Sequence, residues 1–133
     1  MTSSFKKMQV KSTDELADMN STQLLGLLDE ARDCSRIAGI KWADAVKKFK
    51  DSKELLPSKF GEIIKIYSET GAKSQMVRWQ AVADRSYQDE IIKMNQLEYE
   101  SNLLEIEYRG WMKTIDALVS IAYVRNNELK LSR

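Results

Sequence analysis

The sequence predicts an all-α protein, built as a helical bundle or helical hairpin with a long, coiled-coil-like C-terminal helix. Two observations lead to this prediction. The 133 residues include one proline and five glycines, which leaves few of the residues that make the turns of an all-β fold. Apolar residues also recur every three or four positions along most of the chain, and this repeat is typical of one face of an α-helix.

The length of the chain is that of a single domain. Residues 1–12 carry no helical repeat, so we expect a flexible N-terminal arm followed by one all-helical domain over residues 13–133. Ser12 and Glu15 have the spacing of a capping box, which predicts a short helix directly after the arm. The longer helices are predicted to span about residues 21–56, 57–70 and 74–131.

The first long helix is predicted from an apolar stripe that follows two candidate N-cap residues, Asn20 and Ser21. Pro57 has no N–H group and restricts the residue before it, so we expect one helix to end there and a second to begin. Gly71 is expected to terminate the second helix, and Ser74 to cap the third. The stripe of the first helix consists of Leu24, Leu28, Ala31, Ala38, Trp42, Ala45, Phe49 and Leu56.

The last helix is predicted from the longest uninterrupted repeat in the chain. A straight helix over residues 74–131 would be roughly 87 Å long at 1.5 Å per residue, which is longer than a compact domain of this size is wide. We therefore expect it to break near residues 101–110 or to pack against a second subunit. Its stripe consists of Tyr87, Ile91, Met94, Leu97, Ser101, Leu104, Tyr108, Trp111, Ile115, Leu118 and Ala122. The predicted interface of a homo-oligomer consists of Leu104, Tyr108, Trp111, Ile115 and Leu118.

The sequence lacks the groups on which most catalytic and metal sites depend. It contains no histidine and one cysteine, Cys34, so the commonest general base is missing and a thiolate zinc site cannot form within one chain. No glycine-rich phosphate loop and no nucleophile elbow occurs. We therefore expect a non-enzymatic protein with no catalytic residues, metal, cofactor or small-molecule substrate. Cys34 is predicted to be a small core residue in a reducing compartment.

The net charge of +1 conceals an uneven distribution of charge. Residues 41–59 carry six lysines and three acids, whereas residues 89–108 carry six acids and one lysine. One interpretation is that the basic stretch lies against the acidic stretch, within the chain or across a subunit boundary, where such pairs set register more than stability. The other is that its lysines bind nucleic-acid phosphates without sequence preference. The candidate residues are Lys47, Lys48, Lys50, Lys53 and Lys59.

Four of the tryptophan and tyrosine residues fall on the two apolar stripes, which predicts packing in the core or at a subunit interface; they are Trp42, Tyr87, Tyr108 and Trp111. Trp79 and Tyr99 lie off the stripes and are expected to be exposed contact residues. The N-terminus lacks the apolar segment of a signal peptide, and no run of about 18 apolar residues predicts a membrane-spanning helix. We therefore expect a cytoplasmic protein without a membrane partner.

The greater part of the chain, residues 41–130, resembles a known family. A lysine-rich helix leads to Ile66-Tyr67-Ser68-Glu69-Thr70-Gly71, and the chain then finishes with LEIEYRGWMKTIDALVSIAYVRNNELK. This order resembles the small phage recombination-mediator proteins of the UvsY type. The matching positions are Lys47, Lys48 and Lys50 in the basic helix, Tyr67 and Gly71 in the turn, and Tyr108, Trp111, Leu118, Arg125, Leu129 and Lys130 in the closing helix.

The resemblance implies a closed homo-oligomer that binds single-stranded DNA non-specifically. Such a protein helps to load a strand-exchange recombinase in place of a single-strand-binding protein, and it acts in the cytoplasm of a bacterial host. The residues also leave an alternative open. The long stripe and the complementary charged stretches equally suit a helical protein–protein interaction module, such as a phage-encoded inhibitor or an assembly adaptor, that binds no nucleic acid.

Overall fold

The computed structural model describes residues 19–131, and within them the chain forms three α-helices and no β-strand. Helix α1 spans Ser21–Ser68, α2 spans Ser74–Ala83 and α3 spans Arg85–Leu131. The prediction of an all-α fold with a long C-terminal helix is confirmed. The predicted arm over residues 1–12 and the short helix after it lie outside the described residues.

A reciprocal capping box at Asn20 begins α1. The side-chain Oδ1 of Asn20 accepts a hydrogen bond from the backbone N–H of Gln23 at 2.8 Å. The backbone N–H of Asn20 in turn donates to Gln23 Oε1 at 3.1 Å. These bonds satisfy donors that have no partner inside the first turn of a helix. Of the two candidate caps, Asn20 is therefore the one used.

Pro57 does not end the first helix, so the predicted boundary between residues 56 and 57 is wrong. Helix α1 continues through Pro57 to Ser68, although an interior proline costs a helix about 3 kcal/mol. The reason is that apolar packing continues across the proline: Leu56 before it and Phe60 after it are half-buried, and Ile63 is buried. Burial of one large apolar side chain contributes about 1.5–3 kcal/mol, so packing on both sides of Pro57 outweighs its cost.

Gly71 terminates α1 as the sequence predicts. It adopts the left-handed conformation with φ of 80°, and its backbone N–H donates to the carbonyl oxygen of Ser68 at 3.2 Å. The predicted cap at Ser74 is wrong, because Ser74 is already the first residue of α2 and the N-cap position is held by Lys73. Lys73 makes no side-chain capping bond there.

The predicted helix over residues 74–131 is interrupted at Asp84, and not near residues 101–110. The backbone of Asp84 is extended, with φ of −60° and ψ of 132°. Its Oδ1 accepts hydrogen bonds from the backbone N–H groups of Ser86 and Tyr87 at 2.9 Å and 3.3 Å. An aspartate that satisfies the free donors of a helix start favours a new helix over continuation of the old one. After this break α3 runs on without interruption.

The described chain divides into two compact units, whereas its length predicts a single domain. The terminal unit contains residues 19–41 and 105–131, and the central unit is Trp42–Leu104. Helices α1 and α3 contribute to both units, while α2 belongs to the central unit alone.

In the terminal unit the start of α1 packs antiparallel against the end of α3. Gly39 lies beside Tyr108, whereas Leu24 near the start of α1 shares a groove with Leu118 and Ala122. The most enclosed large side chains are Trp111 and Leu118, each 1% exposed. The buried core consists of Leu24, Leu28, Ala31, Cys34, Ala38, Trp111 and Leu118.

In the central unit α1 and α3 also run in opposite directions, since Tyr67 near the end of α1 bonds to Asp84 directly before α3, while the earlier Phe60 meets the later Tyr87. The rings of Phe60 and Tyr87 have their centroids 5.0 Å apart at an angle of 46°. Most of the buried positions are small or medium-sized, which allows close approach of the helices. They are Ala45, Ser52, Ile63, Val77, Ala81 and Ser101. Every residue of both predicted stripes is buried or half-buried, so the stripes are confirmed even where the helix boundaries are not.

Candidate interaction surfaces

The described chain offers neither a metal cluster nor a membrane span. Within residues 19–131, no group of three or more cysteine, aspartate or glutamate side chains is arranged to hold a metal ion. No helix of this same part has the length and apolar character that crossing a bilayer requires. The features that stand out are exposed apolar and charged side chains on α1 and α3.

The five candidate nucleic-acid-binding lysines do not form one face. Lys47, Lys48, Lys50 and Lys53 are exposed, and Lys59 is half-buried. Residues three apart are neighbours on a helix, whereas adjacent residues point about 100° apart. Lys47, Lys50 and Lys53 therefore follow one another in a line, called here the lysine row. Lys48 and Lys59 lie on the other side of α1.

Lys48 and Arg109 each form an ion pair within their own helix. Lys48 Nζ lies 3.1 Å from Asp44 Oδ2, and Arg109 pairs with Glu105 at 2.9 Å. Among the described residues of the central unit, no ion pair joins the basic stretch of α1 to the acidic stretch of α3. The lysine row forms no ion pair with another described residue, although Asp51 and Glu54 are exposed close to it.

Four of the five residues predicted to form a subunit interface pack in or against the core of a single chain. Trp111 and Leu118 lie in the terminal core, with Tyr108 and Ile115 packed against it. Leu104, in the central unit, is half-buried. A second subunit would therefore have to displace α1 to reach Trp111 or Leu118. The assignment of these residues to an interface between subunits stays a prediction.

A second apolar line runs along α3 in the central unit and stays exposed. It consists of Ile92, Tyr99 and Leu103, called here the outer strip, which are 62%, 61% and 49% exposed. Tyr99 and Leu103 each stand two residues from buried Ser101, and two residues correspond to about 200° around a helix. The outer strip thus lies opposite the core-facing stripe, and α3 is apolar on both sides.

Sequence reasoning identified only one member of the outer strip. Tyr99 was expected to be exposed, and both it and Trp79 of α2 are exposed as predicted. Ile92 and Leu103 were missed, although their spacing of seven and four from Tyr99 is the signal of a second stripe. The dominant core stripe on the same helix obscures that signal.

Acidic side chains border the outer strip. Asp89 stands three residues before Ile92 and Glu100 stands three residues before Leu103, so each acid is a surface neighbour of the strip. Both acids are exposed. Lys93 is a base on the same border. The outer strip therefore presents apolar surface beside mostly negative charge.

An apolar groove lies between α1 and α3 in the terminal unit. It has a volume of about 470 Å³, and five leucines line it together with Val119 and Tyr123 from α3. Arg125 and Leu129, which the resemblance places in the closing helix, line its far end.

Tyr67, one of the positions on which the family resemblance rests, stabilises the junction between α2 and α3. Its hydroxyl donates to Asp84 Oδ2 at 2.7 Å. Hydrogen bonds from Ser86 and from Tyr67 lower the pKa of Asp84 to about 2. The same bond to Asp84 raises the pKa of Tyr67. Tyr67 thus has a clear structural role at the break that precedes α3.

Cys34 is buried in the terminal core, as predicted. Burial, followed by the charge of Glu30, raises the pKa of its thiol. A thiol of raised pKa in an apolar setting is a poor nucleophile. Cys34 therefore packs as a small apolar residue.

Comparison with known proteins returned no relative. No protein family, curated protein or solved structure matches the chain. The resemblance to the UvsY-type mediators rests on the residues quoted above and stays a prediction.

Proposed function

We propose that this protein is a non-enzymatic helical adaptor that assembles with itself through paired helices. The observation that supports this proposal is the outer strip, which leaves three large apolar side chains exposed on the side of α3 opposite its buried stripe. An α-helix that carries apolar residues on both sides is usually buried on both sides. Because about half of each side chain is still exposed, burying the strip would contribute about 1 kcal/mol for each of them.

Further exposed apolar residues support the same proposal. Seventeen large apolar side chains of the described chain are exposed, and they occur on all three helices. Single exposed apolar residues are ordinary, but aligned ones mark protein interaction sites. The adaptor is proposed to act in the cytoplasm.

Sedimentation velocity between about 1 and 100 µM tests self-assembly. We expect the wild-type mass to be a multiple of 15.3 kDa. Replacing Ile92, Tyr99 and Leu103 together by serine should weaken association at least tenfold, because it removes the apolar surface that drives it. Circular dichroism should show unchanged helix content.

The matched control replaces Leu55 and Ile66, which are as exposed as the outer strip but lie on the side of α1 away from the lysine row. Serine at both positions should leave the mass unchanged. A wild-type monomer at about 100 µM would overturn the proposal.

The second candidate function is that of a recombination mediator, which binds single-stranded DNA and helps to load a recombinase in place of a single-strand-binding protein. The exposed lysine row favours it, as does the exposed ring of Trp79, since aromatic rings stack on unpaired bases. Oligomerisation would multiply weak binding by each subunit.

Fluorescence anisotropy with a labelled oligonucleotide separates the two candidates. The mediator should bind at about 50 mM salt and lose much of its affinity at about 200 mM, because phosphate contacts release counterions. Glutamate at Lys47, Lys50 and Lys53 should abolish binding, whereas Lys48→Glu on the other side of α1 should change it far less. Absence of binding at the lower salt rejects the mediator and leaves the adaptor.

A further inference from the structure

We infer that the outer strip of α3 is the binding surface for the lysine row of α1 in a second copy of this chain. This inference rests on the proposed function, because it names the partner and the two surfaces through which the adaptor assembles.

Charge complementarity favours this occupant. The border of the outer strip carries two exposed acids, Asp89 and Glu100, against one base, Lys93. The lysine row carries three exposed bases, with the acids Asp51 and Glu54 beside it, so the two surfaces have opposite net charge. Among the described residues of the central unit, no ion pair connects the two surfaces within one chain. Both sets of charges are therefore available to a neighbouring copy. Opposite charges across an interface fix its register and suppress wrong partners.

The side chains of the lysine row suit an apolar strip as well as an acidic border. A lysine covers apolar surface with its four-carbon stem while the ammonium group reaches water or an acid at the edge. Laid along Ile92, Tyr99 and Leu103, such stems would remove the strip from water. The ring of Tyr99 offers a further attraction, because a cation is stabilised over an aromatic face.

Pairing of the strip with itself is less favourable. Two outer strips face to face would bring Asp89 and Glu100 of one copy towards the same acids of the other, and like charges across an interface are repulsive. A strip that binds a different surface of the next copy makes a head-to-tail contact. Head-to-tail contacts produce closed rings or open filaments, so subunit numbers above two are expected.

Charge reversal tests the pairing in the full-length chain. The row variant carries glutamate at Lys47, Lys50 and Lys53, and the strip variant carries lysine at Asp89 and Glu100. Each variant alone should associate at least tenfold more weakly than the wild type in sedimentation velocity. An equimolar mixture should recover the wild-type assembly, because every strip then meets a row of opposite charge.

The controls reverse charges of the same helices away from the two surfaces. Lys48→Glu lies on the other side of α1 from the row, and Glu98→Lys lies farther from the strip than Asp89 or Glu100. Neither should change the assembly. A wild-type oligomer that persists in both the row and the strip variant overturns the inference and leaves the adaptor proposal intact. A wild-type monomer at about 100 µM overturns both.

Disulfide trapping gives a second measurement that does not depend on charge. Chains with Lys50→Cys mixed with chains with Tyr99→Cys should form a covalent dimer under mild oxidation, since Cys34 is buried. Lys48→Cys in place of Lys50→Cys should give at least tenfold less covalent dimer. Equal yields of covalent dimer from the two pairings overturn the inference.

Discussion

The ring of Tyr108 lies against the backbone of Gly39, with its Cε2 atom 3.2 Å from the position that a Cβ atom on Gly39 would occupy. The Cβ atom of an alanine at position 39 would therefore displace the ring. It explains why α1 carries glycine in the middle of a helix, where glycine costs about 1 kcal/mol relative to alanine. The glycine permits close approach of α1 and α3 in the terminal unit.

The Gly39–Tyr108 contact predicts opposite outcomes for two glycine replacements in α1. Gly26→Ala should raise the free energy of unfolding by about 1 kcal/mol, because nothing lies within 4 Å of its Cβ position. Gly39→Ala should be neutral or destabilising by up to about 2 kcal/mol, because crowding offsets the helix propensity. Urea unfolding followed by circular dichroism measures both. Equal gains at the two positions would show that the ring of Tyr108 yields without cost.

The terminal core predicts a large penalty for truncation of Leu118. This side chain is 1% exposed, so Leu118→Ala should reduce the free energy of unfolding by about 2–5 kcal/mol. Val124→Ala on the same helix is the control, since Val124 is exposed, and it should change stability by less than about 0.5 kcal/mol. Both are measured by urea unfolding at low protein concentration. Similar values for the two variants would contradict the core described here.

The bond between Tyr67 and Asp84 predicts a pH dependence with a definite sign. Hydrogen bonds from Ser86 and Tyr67 hold the pKa of Asp84 at about 2 in the folded chain, against about 3.9 in an unfolded one. The stabilisation from Asp84 is therefore complete above about pH 4 and is lost as the pH falls towards 2. The raised pKa of Tyr67 has the opposite consequence, since its stabilisation is present below about pH 10 and is lost at higher pH.

Thermal unfolding of Asp84→Asn between pH 2 and 7 measures the loss of stability in acid that Asp84 causes. Asparagine still caps a helix but does not titrate, so the variant should lose less stability than the wild type as the pH falls from 4 to 2. Tyr67→Phe removes one of the hydrogen bonds that lower the pKa of Asp84, so this variant should lose stability at a higher pH than the wild type does. Superimposable pH profiles for all three proteins would exclude Asp84 as the titrating group.

Periodicity predicted the buried residues better than it predicted the ends of the helices. Both stripes are buried or half-buried throughout, because a three-four repeat reports directly which side of a helix meets a neighbour. The break at Asp84 was not predicted, although aspartate is a capping residue by type; a further bond to its carboxylate comes from Tyr67, 17 residues away, and no local pattern reveals it. The outer strip was only partly predicted, since α3 carries two stripes and the repeat of one obscures the other.

The continuity of α1 through Pro57 predicts that this proline weakens the helix that contains it. Pro57 is exposed, so its replacement removes no packing, while an N–H group returns to the helix and the ring no longer crowds the preceding turn. Pro57→Ala should raise the free energy of unfolding by about 1–3 kcal/mol, less than the full proline penalty because alanine also leaves the unfolded chain freer. Pro57→Gly should gain about 1 kcal/mol less than alanine. A loss of stability in Pro57→Ala, measured by urea unfolding, would mean that the fold requires the kink a proline imposes, since α1 would otherwise accept alanine at an exposed site.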